Sequence, residues 1–197
     1  MNMATTSAAL GQGESSEKVT LASGSKRKKR TTKKPLPTVK LPPNPFQSEI
    51  LDLVNKTRGR QKKIDLLREY RNDALVSLLI WNFDDTVQSA LPEGEVPFRP
   101  NDAPAGTEHT SLRQEQRHFY NFIQGGNPSL SKTRRESIFI QILETLHPEE
   151  AEILILVKDH RLVAKYPTLS QDIVGEAYTD IEWGGRGGTK YEVGVVN

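Results

Sequence analysis

Seven of the nine residues in positions 26–34 are cationic: Lys26, Arg27, Lys28, Lys29, Arg30, Lys33 and Lys34. A run this dense associates with any polyanion. Neutralising phosphates releases condensed counterions, so the binding is strong at low salt and falls steeply as salt rises. No aromatic side chain interleaves the run, so it offers no platform on which unpaired bases stack. It also lacks the helical spacing that would present a reading face to a groove. The chemistry it points to is sequence-independent contact with nucleic acid or with an acidic protein. Two plainer readings compete: a solvated tail that aids solubility, and a nuclear import signal, which such runs mimic.

The other residues capable of chemistry are scattered. The four histidines, His109, His118, His147 and His160, are never three or four positions apart, so no helix carries a pair of metal ligands. There is no phosphate-binding glycine loop, no strand–GxGxxG–helix fingerprint, no HExxH and no GxSxG elbow. Asp84, Asp85, Asp102, Glu108 and His109 could gather a divalent cation in one long loop. The simpler reading is that Asp84 and Asp85 end a helix while Glu108 and His109 precede one. Glu115 and His118 are three apart, which suits an acid–base pair or a surface contact equally. His147 is expected to cap a helix, and His160 lies in the charged helix end Lys158-Asp159-His160-Arg161. Zero cysteines exclude a disulfide scaffold, a Cys-based zinc site, an iron–sulfur site and a thiol nucleophile. The sequence is therefore read as non-enzymatic, with no cofactor and no metal.

Two weaker features bear on binding. Arg58, Arg60, Lys62 and Lys63 could extend a basic strip, although helix charges are usually a solvated face. The run GGRGG at residues 184–188 resembles one Arg-Gly-Gly unit of RNA-binding tails, and a flexible terminus explains it as well.

These groups must be positioned by elements, and charge divides the chain first. Residues 1–45 hold nine basic side chains against two acids, a balance of +7; the remaining 18 basic and 23 acidic groups leave −5. The arm is poor in large apolar residues and cannot offset the ~1–2 kcal/mol per residue of ordering entropy. It has no apolar stretch of the kind a secretory signal needs. Pro35, Pro37, Pro42, Pro43 and Pro45 make residues 35–45 a semi-rigid spacer. The expected organisation is a disordered basic arm over 1–43, a helical domain over 44–181 and a flexible Gly-rich tail over 182–197. The longest apolar run, at 153–157, is five residues, far short of the ~20 needed to cross a bilayer.

The body reads as all-α: a compact bundle of about six or seven short helices with a long, Pro-rich, ordered loop. Asn44-Pro45-Phe46-Gln47 predicts a helix start, with Asn as cap and Pro in the first helical position. Phe46, Ile50, Leu51 and Val54 form its inner face. A second helix covers residues 60–70, with Ile64 and Leu67 inward and Lys62, Lys63 and Arg68 outward. A third, capped by Asn72 or Asp73, runs from Ala74 to about Phe83. Residues 84–110 carry four prolines and lose all periodicity, and Val96 and Phe98 are expected to pin this stretch to the body. A fourth helix is predicted over 110–124, inner stripe Leu112, Phe119, Phe122 and Ile123, stopped by Gly125-Gly126. A fifth, capped by Ser129 or Ser131, buries Ile138, Phe139, Ile142, Leu143 and Leu146 and leaves Arg134 and Arg135 outside. His147-Pro148-Glu149-Glu150 starts a central helix whose glutamates complement the dipole. A buried strand competes for 153–157, and the Pro-Glu-Glu start favours helix. Thr168-Leu169-Ser170-Gln171 predicts a capping box for a last helix through Tyr178.

The stretches WNFDDTVQSALPEGEVPFRPNDAPAGTEHT (residues 81–110) and RRESIFIQILETLHPEEAEILILVKD (134–159) resemble a family of small uncharacterised proteins encoded by contractile-tailed phages of cyanobacteria and other marine bacteria. The similarity covers about residues 50–180, and the arm looks like an extension. No activity or catalytic residue comes with it. The resemblance implies a phage-encoded protein, in the host cytoplasm during infection or in the virion, and argues against a nuclear signal. The expected function is a non-enzymatic adaptor: the arm holds nucleic acid non-specifically and the body docks on a phage or host protein, with no membrane partner. The alternative is a structural component of the head, neck or tail whose arm threads between subunits or touches packaged DNA.

Overall fold

A computed structural model describes residues 40–103 and 110–185. The chain divides into two units, Met1–Thr38 and Val39–Asn197. The basic run at 26–34 lies outside the described residues, as do most of the predicted arm and the end of the tail. Among the described residues the architecture is all-α, as expected. Eight α-helices and one 3-10 helix occur: α1 (Gln47–Lys56), α2 (Arg60–Glu69), α3 (Asp73–Phe83), α4 (Leu112–Glu115), the 3-10 helix Gln116–Phe122, α5 (Lys132–Thr145), α6 (Pro148–Lys158), α7 (Leu162–Lys165) and α8 (Gln171–Ala177). No helix among them is long and apolar enough to cross a membrane.

Local signals start and stop most of these helices where the sequence expects. The Asn72 side chain accepts from the Leu75 amide at 3.0 Å, and Ser131 caps α5 through the Arg134 amide at 3.3 Å. His147 caps α6 ahead of Pro148, its Nδ1 accepting from the Glu149 amide at 3.3 Å. Helix α6 is central, with Ala151, Ile153, Leu154 and Val157 buried. It packs against α3, α1 and α5, while α2 lies along α8. An aromatic group ties three elements together. Trp81 of α3 meets Phe119 and Phe122 of the 3-10 helix at centroid distances of 5.9 and 6.4 Å. Phe122 then meets Phe139 of α5 edge-on at 5.1 Å. Such edge and offset geometries suit the ring quadrupoles.

Four local expectations are corrected. Helix α1 starts at Gln47, later than predicted, because Glu49 reaches back to the Phe46 amide at 2.8 Å and so fixes Phe46 as the cap. Leu41, placed in the spacer, packs against the core. The fourth helix is a single α turn continued as a 3-10 helix. Leu112, Gln116, Phe119 and Phe122 then recur near a three-residue period, which the 3-10 form aligns on one face. Its end is pulled into an antiparallel bridge between Ile123 and Ser89, where the Ala90 amide donates to the Phe122 carbonyl at 2.7 Å. Thr168 does not cap the last helix: its hydroxyl is held by Asn55 Oδ1 at 2.7 Å, and Ser170 stands at the cap position. The single turn α7 was not anticipated.

Glu150 joins three helix starts. It is fully buried in the first turn of α6, and its two oxygens accept from the Gln47 and Leu112 amides, both at 2.9 Å. The sequence assigns it only a dipole role. The Gly125-Gly126 stop is real, with Gly125 at φ +81°. A Cβ on Gly126 would fall 1.9 Å from the Tyr120 carbonyl oxygen. Gly126→Ala must therefore displace backbone, and is expected to destabilise the fold by about 2–3 kcal/mol, measured by urea unfolding. An unchanged midpoint would contradict this packing.

Candidate functional site

The proline-rich stretch is built outward from Asp84, the C-cap of α3. One Asp84 oxygen accepts from the Thr86 amide at 3.0 Å and hydroxyl at 2.6 Å; the other accepts from the Gly184 amide at 3.1 Å. This Asx turn sends the chain off the helix end. Val87 and Leu91 are buried, and Val96 and Phe98 pack on the core as expected.

Lys158, the last residue of α6, holds the middle of the loop. Its side chain is 1% exposed. The ammonium donates to the Pro92 carbonyl at 2.8 Å, to the Gly94 carbonyl at 3.1 Å and to the Asp159 carboxylate, so all three donors are used. Asp159 in turn accepts from the Gly94 amide at 3.2 Å. Further along, the Arg99 amide donates to Glu144 at 3.2 Å and the Asn101 amide group to the Thr145 carbonyl at 3.3 Å. Between loop and α5 lies an apolar cavity of about 130 Å³, lined by Leu91, Val96, Pro97, Phe139 and Ile140. The described part of the loop, residues 84–103, is thus a fixed surface, with Glu93, Glu95, Arg99 and Asp102 exposed along it.

Among the described residues the sequence-predicted chemical groups are not brought together. Asp102 is exposed in the loop, while Glu108 and His109 lie outside the described residues. Among the described residues no group of three or more His, Asp or Glu side chains gathers as a metal site. His118 Nε2 stands 3.9 Å from Glu115 Oε2, beyond hydrogen-bond distance. Glu115 Oε1 is held by the Thr110 hydroxyl at 2.7 Å. His147, besides capping, stacks on Phe46 at 5.2 Å. His160 adopts φ +54° in the turn that ends α6. There its amide donates to the Val157 carbonyl and the Arg161 amide to the Leu156 carbonyl, at 3.1 and 2.8 Å, a Schellman closure in the position glycine normally takes. Its Nδ1 donates to the Asn82 carbonyl at 3.1 Å.

The predicted strip Arg58, Arg60, Lys62 and Lys63 is divided by the packing of α8 against α2. Arg60 pairs with Glu176 at 2.9 Å. Lys63, expected outside, is buried; it reaches the Thr168 carbonyl at 3.3 Å, and burial lowers its pKa. Arg58 and Lys62 are exposed. Arg135, also expected outside, folds back to the Asn121 and Asn127 carbonyls at 2.6 and 3.0 Å. Arg71 clamps Asp180 at 2.5 Å and holds that carboxyl down to about 2. Of the GGRGG run only Gly184 and Gly185 are described. The roles of Lys158, Lys63 and Glu150 were missed, because each depends on acceptors or donors far away in the chain.

No curated protein and no solved structure matches the chain. The sequence profile of a family of unknown function, DUF6433, matches residues 50–164, more than half of the chain. The match includes residues 81–110 and 134–159, the whole of the proline-rich loop and Lys158, and leaves out the basic run and α8. The chain belongs to this family of unknown function.

Proposed function

We propose that this protein is a non-enzymatic phage accessory protein, an adaptor whose basic arm contacts nucleic acid and whose helical body binds a protein partner in the infected host. The observation that carries the reading is the charge division, +7 in residues 1–45 against −5 in the remainder. The resemblance of residues 81–110 and 134–159 to phage proteins supports the setting. The proline-rich loop supports the second half of the reading, because a surface already fixed by Lys158 loses little entropy on docking.

The test compares the full chain with a variant in which Lys26, Arg27, Lys28, Lys29, Arg30, Lys33 and Lys34 are changed to glutamine. If all seven cations meet phosphates, the slope of log affinity for duplex DNA against log salt flattens by about 6. The far-UV circular dichroism should be unchanged. Equal affinities and slopes for both chains would overturn the nucleic-acid role. Mass spectrometry of purified particles distinguishes the adaptor from a virion component, which would be present at many copies.

A further inference from the structure

Tyr120 is the most exposed large hydrophobic side chain among the described residues, at 52%. It sits on the 3-10 helix three residues after Arg117, and side chains three apart eclipse in that geometry, about 6 Å along the axis. Leu112, Phe119 and Phe122 point into the core from the same segment, so Arg113, Arg117 and Tyr120 share its outer side, where all three are exposed. Arg135 reaches the Asn121 carbonyl at 2.6 Å, which sets the first turns of α5 beside Tyr120's element. That start carries two further exposed cations, Lys132 and Arg134. Among the described residues none of Arg113, Arg117, Lys132 or Arg134 belongs to an ion pair, while Arg60, Arg71 and Lys165 all do. Among the described residues the nearby acids are turned elsewhere: Glu115 to Thr110 and His118, and Glu136 to the cavity under the loop.

We propose that Tyr120, Arg117 and Arg113 form a contact site for single-stranded nucleic acid on the body, Tyr120 stacking on a base while the arginines meet the flanking phosphates. The unpaired cations Arg113, Arg117, Lys132 and Arg134 make this patch locally complementary to an anionic chain, although residues 46–197 as a whole carry −5. The exposed ring selects single strands, since a π-face stacks on any unpaired base but not on one closed in a duplex. This is the chemistry that the aromatic-free arm lacks. The site is separate from the proposed role of the arm and does not depend on it.

The probe is a fluorescein-labelled oligothymidylate, read by anisotropy, with a duplex of equal length beside it. The background is the full-length chain carrying the seven glutamine changes in the arm. This chain should still bind the oligothymidylate. Tyr120→Ala should weaken that binding about tenfold or more, and Tyr120→Phe should restore it. Arg117→Gln should flatten the salt slope by about 0.7. Loss of all binding on arm neutralisation, or equal affinity for Tyr120→Ala and its parent, would overturn the site. So would competition by an acidic peptide that leaves the Tyr120 variants indistinguishable. If arm neutralisation changes nothing and Tyr120→Ala abolishes binding, the body site stands and the arm reading falls.

Discussion

Glu150→Ala is expected to lower the unfolding free energy by about 4 kcal/mol. Each oxygen of this buried carboxylate accepts from a backbone amide that has no helical partner of its own: Gln47 at the start of α1 and Leu112 at the start of α4. Hydrogen bonds to a charged acceptor contribute about 1.5–3 kcal/mol each, and a buried donor left without a partner adds the cost of its lost hydration. The charge also sits at the positive ends of helix dipoles. Glu150→Gln keeps the shape but turns an N–H toward an N–H, and should cost about 2 kcal/mol. With about 3 °C of melting temperature per kcal/mol at this size, the alanine variant should melt roughly 12 °C lower. Urea unfolding with an unchanged slope and a lower midpoint is the expected pattern. A loss under about 1 kcal/mol for both variants would show that these amides find other acceptors.

Lys158→Met should cost about 3 kcal/mol, and its effect should be felt first in the proline-rich loop. The substitution keeps the apolar stem, so the core around α6 stays filled, but it strips two loop carbonyls and the Asp159 carboxylate of their donor. Removing one member of a buried charged pair is costly because the other charge remains. Lys158→Arg should not rescue the variant. A compact ammonium directs three donors to a tripod of acceptors, whereas the guanidinium is planar and larger. Hydrogen exchange separates the local effect from the global one: the Gly94 amide, which donates to Asp159, should lose protection far more than the amides of α6. If Gly94 exchanges as slowly in the variant as in the parent, Lys158 is not what holds the loop.

The elements that sequence spacing predicted well are those governed by neighbours along the chain. Asn72 and Ser131 cap through amides three residues on, His147 caps ahead of Pro148, and Gly125 turns left-handed where the Gly-Gly pair stands. The apolar stripes at helical spacing are buried almost throughout, including Ile50, Leu51, Val54, Ile64, Leu67, Phe139 and Leu143. The predictions that failed depend on a partner elsewhere. Lys63 and Arg135 look like ordinary outward helix cations, yet each satisfies carbonyls supplied by another segment. The end of the 3-10 helix is hydrogen-bonded to residues 88–90, more than 30 positions earlier, a contact that local spacing does not announce.

Composition and periodicity alone determined the helical class, the inward faces, most helix ends and the division of charge between arm and body, since these follow from hydrophobic spacing, capping within one turn and a count of ionisable groups. The tertiary structure alone decided which polar side chains would be buried, Glu150 joining three helix starts and Lys158 holding the loop, and that Tyr120 would be left outside. The reason is geometric. A buried charge is stable only where folding delivers matched donors and acceptors from distant parts of the chain, and no local pattern encodes that meeting.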